Sequence, residues 1–260
     1  MEALASVDGR IAPAAEATIS ATDEGFLRGD GAFEVLRLYG GRAFAYEDHL
    51  ARLTLSLQNL RLDADLQALR AEVSALLQTA GPVDALLRLV CTRGGRRLAF
   101  VEPLPELPES ITLGAVTYAP TRVLDGIKSL SYAANMLTTR LAQERGFDEA
   151  LLVTPHGRVL EGPTSSFFWV AAGRLLTPPL ADHILSSITR DRVIAEMDVT
   201  EEPCSLEDLE GAEEAFLAST VREALSVRAI EQIDLAVNGP VTQEAARRLS
   251  ARIEAELAAS

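Results

Sequence analysis

The sequence predicts an α+β fold in two parts, a small unit of sheet and helices and then a larger β-rich unit with helices outside. Three observations carry this reading. Two leucine-striped stretches at 47–61 and 64–79 have helical periodicity, apolar β-rich runs flank them, and the pattern restarts after Tyr118-Ala119-Pro120-Thr121-Arg122.

In chain order, an N-terminal strand region leads to an apolar run at 31–38. Residues 47–61 then place Leu50, Leu53, Leu57 and Leu60 on one helical face, with Asp48 as N-cap. A second helix over 64–79 repeats the stripe with Leu66, Leu69, Val73, Leu76 and Leu77 and stops before Gly81. Strands at 85–92 and 111–118 follow, around an irregular loop marked by Pro103, Pro105 and Pro108. This divides the chain into a small domain at 1–117, a linker at 118–124 and a large domain at 125–260. The large part opens with a helix over 133–145 ended by Gly146, then short strands at 149–153, 158–160, 166–171 and 214–219. A helical run covers Asp191 to Met197, Ser205 and Asp208 have capping-box spacing, and a C-terminal helix from Thr242 stripes Ala245, Leu249, Ile253 and Leu257.

The 260 residues suit one large domain or two modest ones, because single cores seldom grow past roughly 250–300 residues. A formal net charge of −14 with dispersed arginines opposes binding to nucleic-acid phosphates. Cys91 and Cys204 lie far apart without Cys-x-x-Cys spacing, so neither a disulfide framework nor a metal site is expected, and a reducing, cytoplasmic home fits. The N-terminus lacks the basic and apolar regions of an export signal, and no apolar stretch nears the roughly 20 residues of a membrane span.

Of the 24 basic side chains, one alone is a lysine, Lys128 in Gly126-Ile127-Lys128-Ser129-Leu130-Ser131-Tyr132. A guanidinium stays protonated, whereas a desolvated ε-amine can lose its proton and attack an aldehyde. Drift toward arginine would also leave one survivor, so the surroundings of Lys128 decide between the two.

Those surroundings form an ordered series. Upstream stand Gly25-Phe26-Leu27-Arg28-Gly29-Asp30-Gly31-Ala32-Phe33-Glu34 and His49-Leu50-Ala51-Arg52. Downstream come Leu160-Glu161-Gly162-Pro163-Thr164-Ser165-Ser166, then Ile184-Leu185-Ser186-Ser187-Ile188-Thr189-Arg190 at a helix start able to hold a phosphate, then Leu217-Ala218-Ser219-Thr220-Val221-Arg222. Together, over nearly the whole chain, they resemble the fold-type IV pyridoxal-phosphate enzymes: branched-chain and D-amino acid aminotransferases and aminodeoxychorismate lyases.

The resemblance implies a small α/β N-terminal domain and a larger pseudo-barrel domain that binds pyridoxal 5′-phosphate. It makes Lys128 the Schiff-base lysine and the base that moves the substrate's α-proton. Glu161 would keep the pyridine nitrogen protonated, Arg52 would grip the phosphate, and Ile188, Thr189 and Thr220 would complete its cradle. Tyr132 would reach the phenolic oxygen, unless it is a buried structural tyrosine, and Ser165 in the turn after Glu161 joins the cofactor set. His49 belongs to the family's His-x-x-Arg pattern as a structural hydrogen-bonder, and His156 and His183 read as loop residues. A homodimer with active sites near the subunit interface is implied as well.

The chain departs from the family at Ser166, where asparagine is usual, at Ser187, where glycine is usual, and at Arg28, a typically aromatic position. A guanidinium facing a cavity is costly without an anion, so Arg28 is expected to meet a substrate carboxylate, with Arg93, Arg96 or Arg97 completing the clamp beside Phe33. Solvent or a neighbouring subunit's carboxylate is the other destination for Arg28. Phe33-Glu34 resembles the aminotransferases more than the lyases, and Ser129-Leu130-Ser131 the D-amino acid branch, while Tyr132 resembles the branched-chain one. The expected reaction is transamination between D-amino acids and 2-oxoglutarate or pyruvate, ahead of branched-chain L-amino acids, the lyase reaction, or a binding protein that retains the fold.

Overall fold

A computed structural model describes residues 1–259. The chain divides into two compact units: Met1–Glu106 with Ile127–Tyr132 and the C-terminal residues from Glu256, and Leu107–Gly126 with Ala133–Ala255.

The first unit is built on a six-stranded sheet. Its strands are β1 (Leu4–Val7), β2 (Arg10–Pro13), β3 (Gly31–Tyr39), β4 (Arg42–Ala43), β5 (Ala85–Thr92) and β6 (Arg97–Pro103), in the order β2-β1-β6-β5-β3-β4. The short helix α1 (Glu24–Arg28) precedes β3, and α2 (Tyr46–Asn59) and α3 (Leu66–Ala80) follow β4. Side chains alternate between faces along each strand, so Ala32, Leu36 and Leu38 of β3 point to one side with Leu87, Leu89 and Cys91 of β5. On that side they meet the leucine stripes, Leu50, Leu53 and Leu57 of α2 and Leu69, Val73 and Leu76 of α3, in one buried core. Both helices therefore stand where the leucine spacing predicts. The cap of α2 differs: Ala45, with φ 52°, occupies it, and Asp48 falls inside the first turn, where a carboxylate faces the positive helix end. Asp65 caps α3 by accepting the amides of Gln67 and Ala68.

The second unit carries a ten-stranded mixed sheet. Its strands are β7 (Ser110–Thr117), β8 (Glu149–Val153), β9 (Arg158–Val159), β10 (Ser166–Ala171), β11 (Arg174–Thr177), β12 (Val199–Glu201), β13 (Cys204–Ser205), β14 (Ala212–Ser219), β15 (Glu223–Ile230) and β16 (Ile233–Asp234). The path runs β12-β11-β10-β14-β15-β7-β8-β9-β13, with β16 beside β15. Parallel neighbours need crossovers, and α4 (Ala133–Glu144) lies in the one from β7 to β8, α5 (Ile188–Glu196) in the one from β11 to β12. One face buries Phe167, Trp169, Leu217 and Val227, and Ala142 of α4 packs with Ala150 and Leu152 elsewhere in the unit. The C-terminal helix α6 (Pro240–Ala259) starts two residues before Thr242, its first turn capped by the buried Glu214, which accepts the amides of Val241 and Thr242. The expected capping pair also forms, with Asp208 and Ser205 bonding reciprocally, although it opens a 3-10 turn and not an α-helix. The architecture is α+β, as the sequence predicts.

Candidate active site

In the first unit the segment carrying Lys128 lies along β3. The amide of Phe33 donates to the Lys128 carbonyl at 3.0 Å, that of Leu130 donates to the Gly31 carbonyl at 2.9 Å, and Ser129 bridges Ala32 in antiparallel register. The Lys128 amide donates in turn to the buried hydroxyl of Ser56 on α2, at 3.1 Å. Gly31 permits this close approach, since a Cβ there would stand 2.4 Å from the Cys91 carbonyl oxygen and 2.6 Å from Leu130. Lys128 Nζ lies 4.7 Å from the ring centroid of Phe33 and 5.8 Å from that of Tyr132, and the two rings meet edge-on with centroids 5.2 Å apart. Lys128, Phe33 and Tyr132 are thus brought together.

On the helix-covered face of the same sheet, Glu34 is fully buried and accepts three hydrogen bonds, from Arg52 Nε, Arg52 Nη2 and His49 Nδ1, each at 2.7 Å. Burial pushes the Glu34 carboxyl up, but the bonds and charges of Arg52 and His49 outweigh it and hold it at about 2. Burial pushes the His49 imidazole down against the pull of Glu34, so Nδ1 carries the shared hydrogen of a neutral ring.

The expected carboxylate clamp does not assemble in this unit. Arg28 is 65% exposed and ion-paired with Glu24 one helical turn earlier. Arg93 is ion-paired with Asp30 and donates to the carbonyls of Leu60 and Arg61. Arg97 pairs with Cys91, and so with Ala32, on the helix-covered face, where Glu72 of α3 binds it at 2.7 Å; Phe33 points to the opposite face. Arg96 is ion-paired with Asp8.

In the second unit, Glu161 lies beside β8, its carbonyl accepting the Leu152 amide at 2.9 Å, and its carboxylate accepts the Leu185 amide at 3.0 Å. That bond ties it to the segment leading into α5. There Ser187 is the N-cap and its hydroxyl accepts the Arg190 amide at 3.3 Å. The helix accordingly begins at Ile188, three residues before the expected Asp191, and its first two amides, those of Ile188 and Thr189, have no carbonyl within the helix to meet. Thr220 sits in the turn between β14 and β15, and Ser165 precedes β10, whose Ser166 pairs with Ala218 at the same end of the sheet. Arg222 joins the two turns: it donates to the Ser165 hydroxyl at 3.1 Å and is ion-paired with the buried Glu149. Asn135 of α4 further pins the Glu161 turn by donating to the Pro163 carbonyl at 2.9 Å. Glu149, Asn135 and the acceptor role of Glu34 escaped the sequence reading. The only signal was that Glu34 shares a strand face with apolar core residues.

The profile of the family described as Amino-transferase class IV matches residues 31–230. A putative branched-chain-amino-acid aminotransferase of Methanocaldococcus jannaschii is 34% identical over 250 residues, covering 86% of this chain and 87% of that protein. A D-alanine aminotransferase of Bacillus licheniformis is 29% identical over 276 residues, covering 96% and 97%. Among solved structures, a hypothetical aminotransferase from Mycobacterium tuberculosis in its PLP-bound form matches with a TM-score of 0.88 at 28% identity, covering 98% of this chain and 99% of that one. The chain belongs to the class IV aminotransferase family. It is a pyridoxal-phosphate-dependent aminotransferase of fold type IV, acting on amino acids and 2-oxo acids.

The donor set suits that cofactor. In the first unit a primary amine over aromatic rings can bind an aldehyde; in the second, a helix start with amides outside the helical ladder can bind a phosphate and the Glu161 carboxylate beside β8 can hold a ring N–H. No helix among the described residues is long and apolar enough to cross a membrane.

Proposed function

We propose that the enzyme transaminates D-amino acids of the D-alanine and D-glutamate type, using 2-oxoglutarate or pyruvate as acceptor. The observation that carries the D-preference is the segment after Lys128. Ser129-Leu130-Ser131, which resembles the D-amino acid branch, follows the lysine directly, with Ser129 bridged to Ala32 and the Leu130 amide donating to the Gly31 carbonyl. The D-alanine aminotransferase relative supports the same choice. The apolar wall of Phe33 and Tyr132 beside the amine suits a small apolar donor.

Pyridoxal phosphate, when bound, supplies an aldehyde and an electron-withdrawing ring. In this reading Lys128 would hold the cofactor through its ε-amine and would be the base that moves the donor's α-proton. Glu161 keeps a proton on the ring nitrogen, its own orientation fixed by the Leu185 amide. Arg52, the amides of Ile188 and Thr189, and Thr220 would hold the phosphate, Ser165 would join the cofactor set, and Tyr132 would reach the phenolic oxygen. Arg28 takes part in carboxylate recognition only by giving up Glu24. A homodimer in the cytoplasm completes the proposal, supported by two free thiols and by Phe26 and Leu27 exposed on α1.

A second reading, branched-chain L-amino acid transamination, is favoured by the 34% identical relative. A half-reaction panel separates them: D-alanine should bleach the cofactor's yellow absorbance faster than L-valine or L-isoleucine, and the reverse order would transfer the assignment. Pyruvate release from aminodeoxychorismate without an acceptor would assign a lyase instead, and sedimentation tests the dimer.

A further inference from the structure

We propose that Glu34, assisted by His49, is the positioning residue that aims the guanidinium of Arg52 at the cofactor's phosphate. The inference rests on reading Arg52 as the phosphate grip. A fully buried carboxylate is costly unless its lone pairs find donors, and the two oxygens of Glu34 accept from Arg52 and His49 of α2. Glu34 engages Arg52 side-on, through Nε and Nη2 at 2.7 Å each. A guanidinium is a rigid plane with five N–H groups, so gripping one edge fixes the direction of the other.

The placement follows from the elements. Glu34 points from the helix-covered face of β3, and His49 and Arg52 stand three residues apart on α2, hence on one face of the helix. Glu34 and His49 are wholly buried, whereas the Arg52 side chain retains 12% exposure, so of the three it is the cation that reaches the surface. A neutral histidine steadies the carboxylate by one more hydrogen bond without adding a second positive charge against Arg52.

Charge and positioning predict opposite results. If Glu34 mattered only through its charge, removing that charge would leave Arg52 a fuller cation and tighten phosphate binding. If Glu34 acts by aiming Arg52, the same change weakens it. The experiment titrates the full-length apoenzyme with pyridoxal phosphate and, separately, with pyridoxal, which lacks the phosphate. Glu34→Gln should weaken pyridoxal phosphate about 10- to 100-fold, the scale of a hydrogen bond to a charged group, and change pyridoxal less than about twofold. Tighter or unchanged pyridoxal phosphate binding, or equal loss for both compounds, would overturn the proposal.

Glu34→Asp covers the case in which Glu34→Gln does not fold, because it keeps the pair's charge while shortening its reach. It should lower the preference for the phosphorylated compound about 3- to 10-fold, and an unchanged preference counts against positioning. Arg52→Ala separates the two readings. If it keeps the preference, Arg52 is not the phosphate grip; if it loses the preference while the Glu34 variants keep it, the grip stands and the positioning role fails.

Discussion

Phe33 holds Lys128 twice: its amide donates to the Lys128 carbonyl at 3.0 Å, and its ring lies 4.7 Å from Lys128 Nζ. The backbone bond sets where the segment sits and the ring lies beside the amine. Because the peptide groups of Lys128 are bound to Phe33 and Ser56 whatever its side chain, Lys128→Ala should keep the fold while abolishing turnover. Circular dichroism and activity assays check both halves. In the wild type, borohydride reduction followed by peptide mapping should find the pyridoxyl group on Lys128.

Acid should destabilise the protein through Glu34. Its folded carboxyl titrates at about 2 against an ordinary 4.5, so between those values the unfolded chain binds the extra proton and stability rises with pH. The contribution is complete above pH 4.5 and is lost as pH falls toward 2. His49, pushed down by burial, adds a loss in the same direction below its ordinary 6.5. Urea unfolding at stepped pH should show a shallower acid slope between 4.5 and 2 in Glu34→Gln than in the wild type, and parallel slopes would contradict this account.

Gly31→Ala should disrupt the contact between β3 and the lysine segment. A methyl group would press the Cys91 carbonyl, a backbone atom held in the β3–β5 ladder, and that strand cannot withdraw without breaking its pairing. A cost of about 1–3 kcal/mol is expected, as for overpacked cores, together with a lower rate as Lys128 is displaced. Thermal unfolding and steady-state kinetics read the two effects.

Arg97→Ala should cost stability and spare the donor. Its partner is Glu72 of α3, both groups largely buried, so its removal leaves a carboxylate without its cation, at about 1–3 kcal/mol. Donor KM should stay within about twofold, a change worth less than 0.5 kcal/mol. A tenfold rise would restore Arg97 to the substrate site.

Both thiols should be silent in the native protein. Burial pushes Cys91 and Cys204 up to about 12, so neither offers thiolate at neutral pH. A thiol reagent should titrate neither until denaturant is added, and then both.

The helices and most strands were legible because their signal is periodic and local. The leucines of α2 and α3 and the stripe of Ala245, Leu249 and Ile253 report their burial by spacing alone. The arginines were not legible in the same way. Arg93 and Arg97 were assigned to substrate from a loop rich in cations, but their partners Asp30 and Glu72 are distant in sequence and adjacent only after the sheet forms. Arg28 was different, since Glu24 stands four residues before it and the pairing was open to reading. The helical run was expected only from Asp191, whereas Ser187, a preferred N-cap type, starts α5 at Ile188.

Lys128 is contributed to the first unit by a short stretch, Ile127–Tyr132, whose flanking residues on both sides belong to the second. Neither unit is therefore a continuous piece of chain. Gene rearrangement that carried away residues 1–106 as a cassette would leave the reactive amine behind and bare the margin of β3 that it covers.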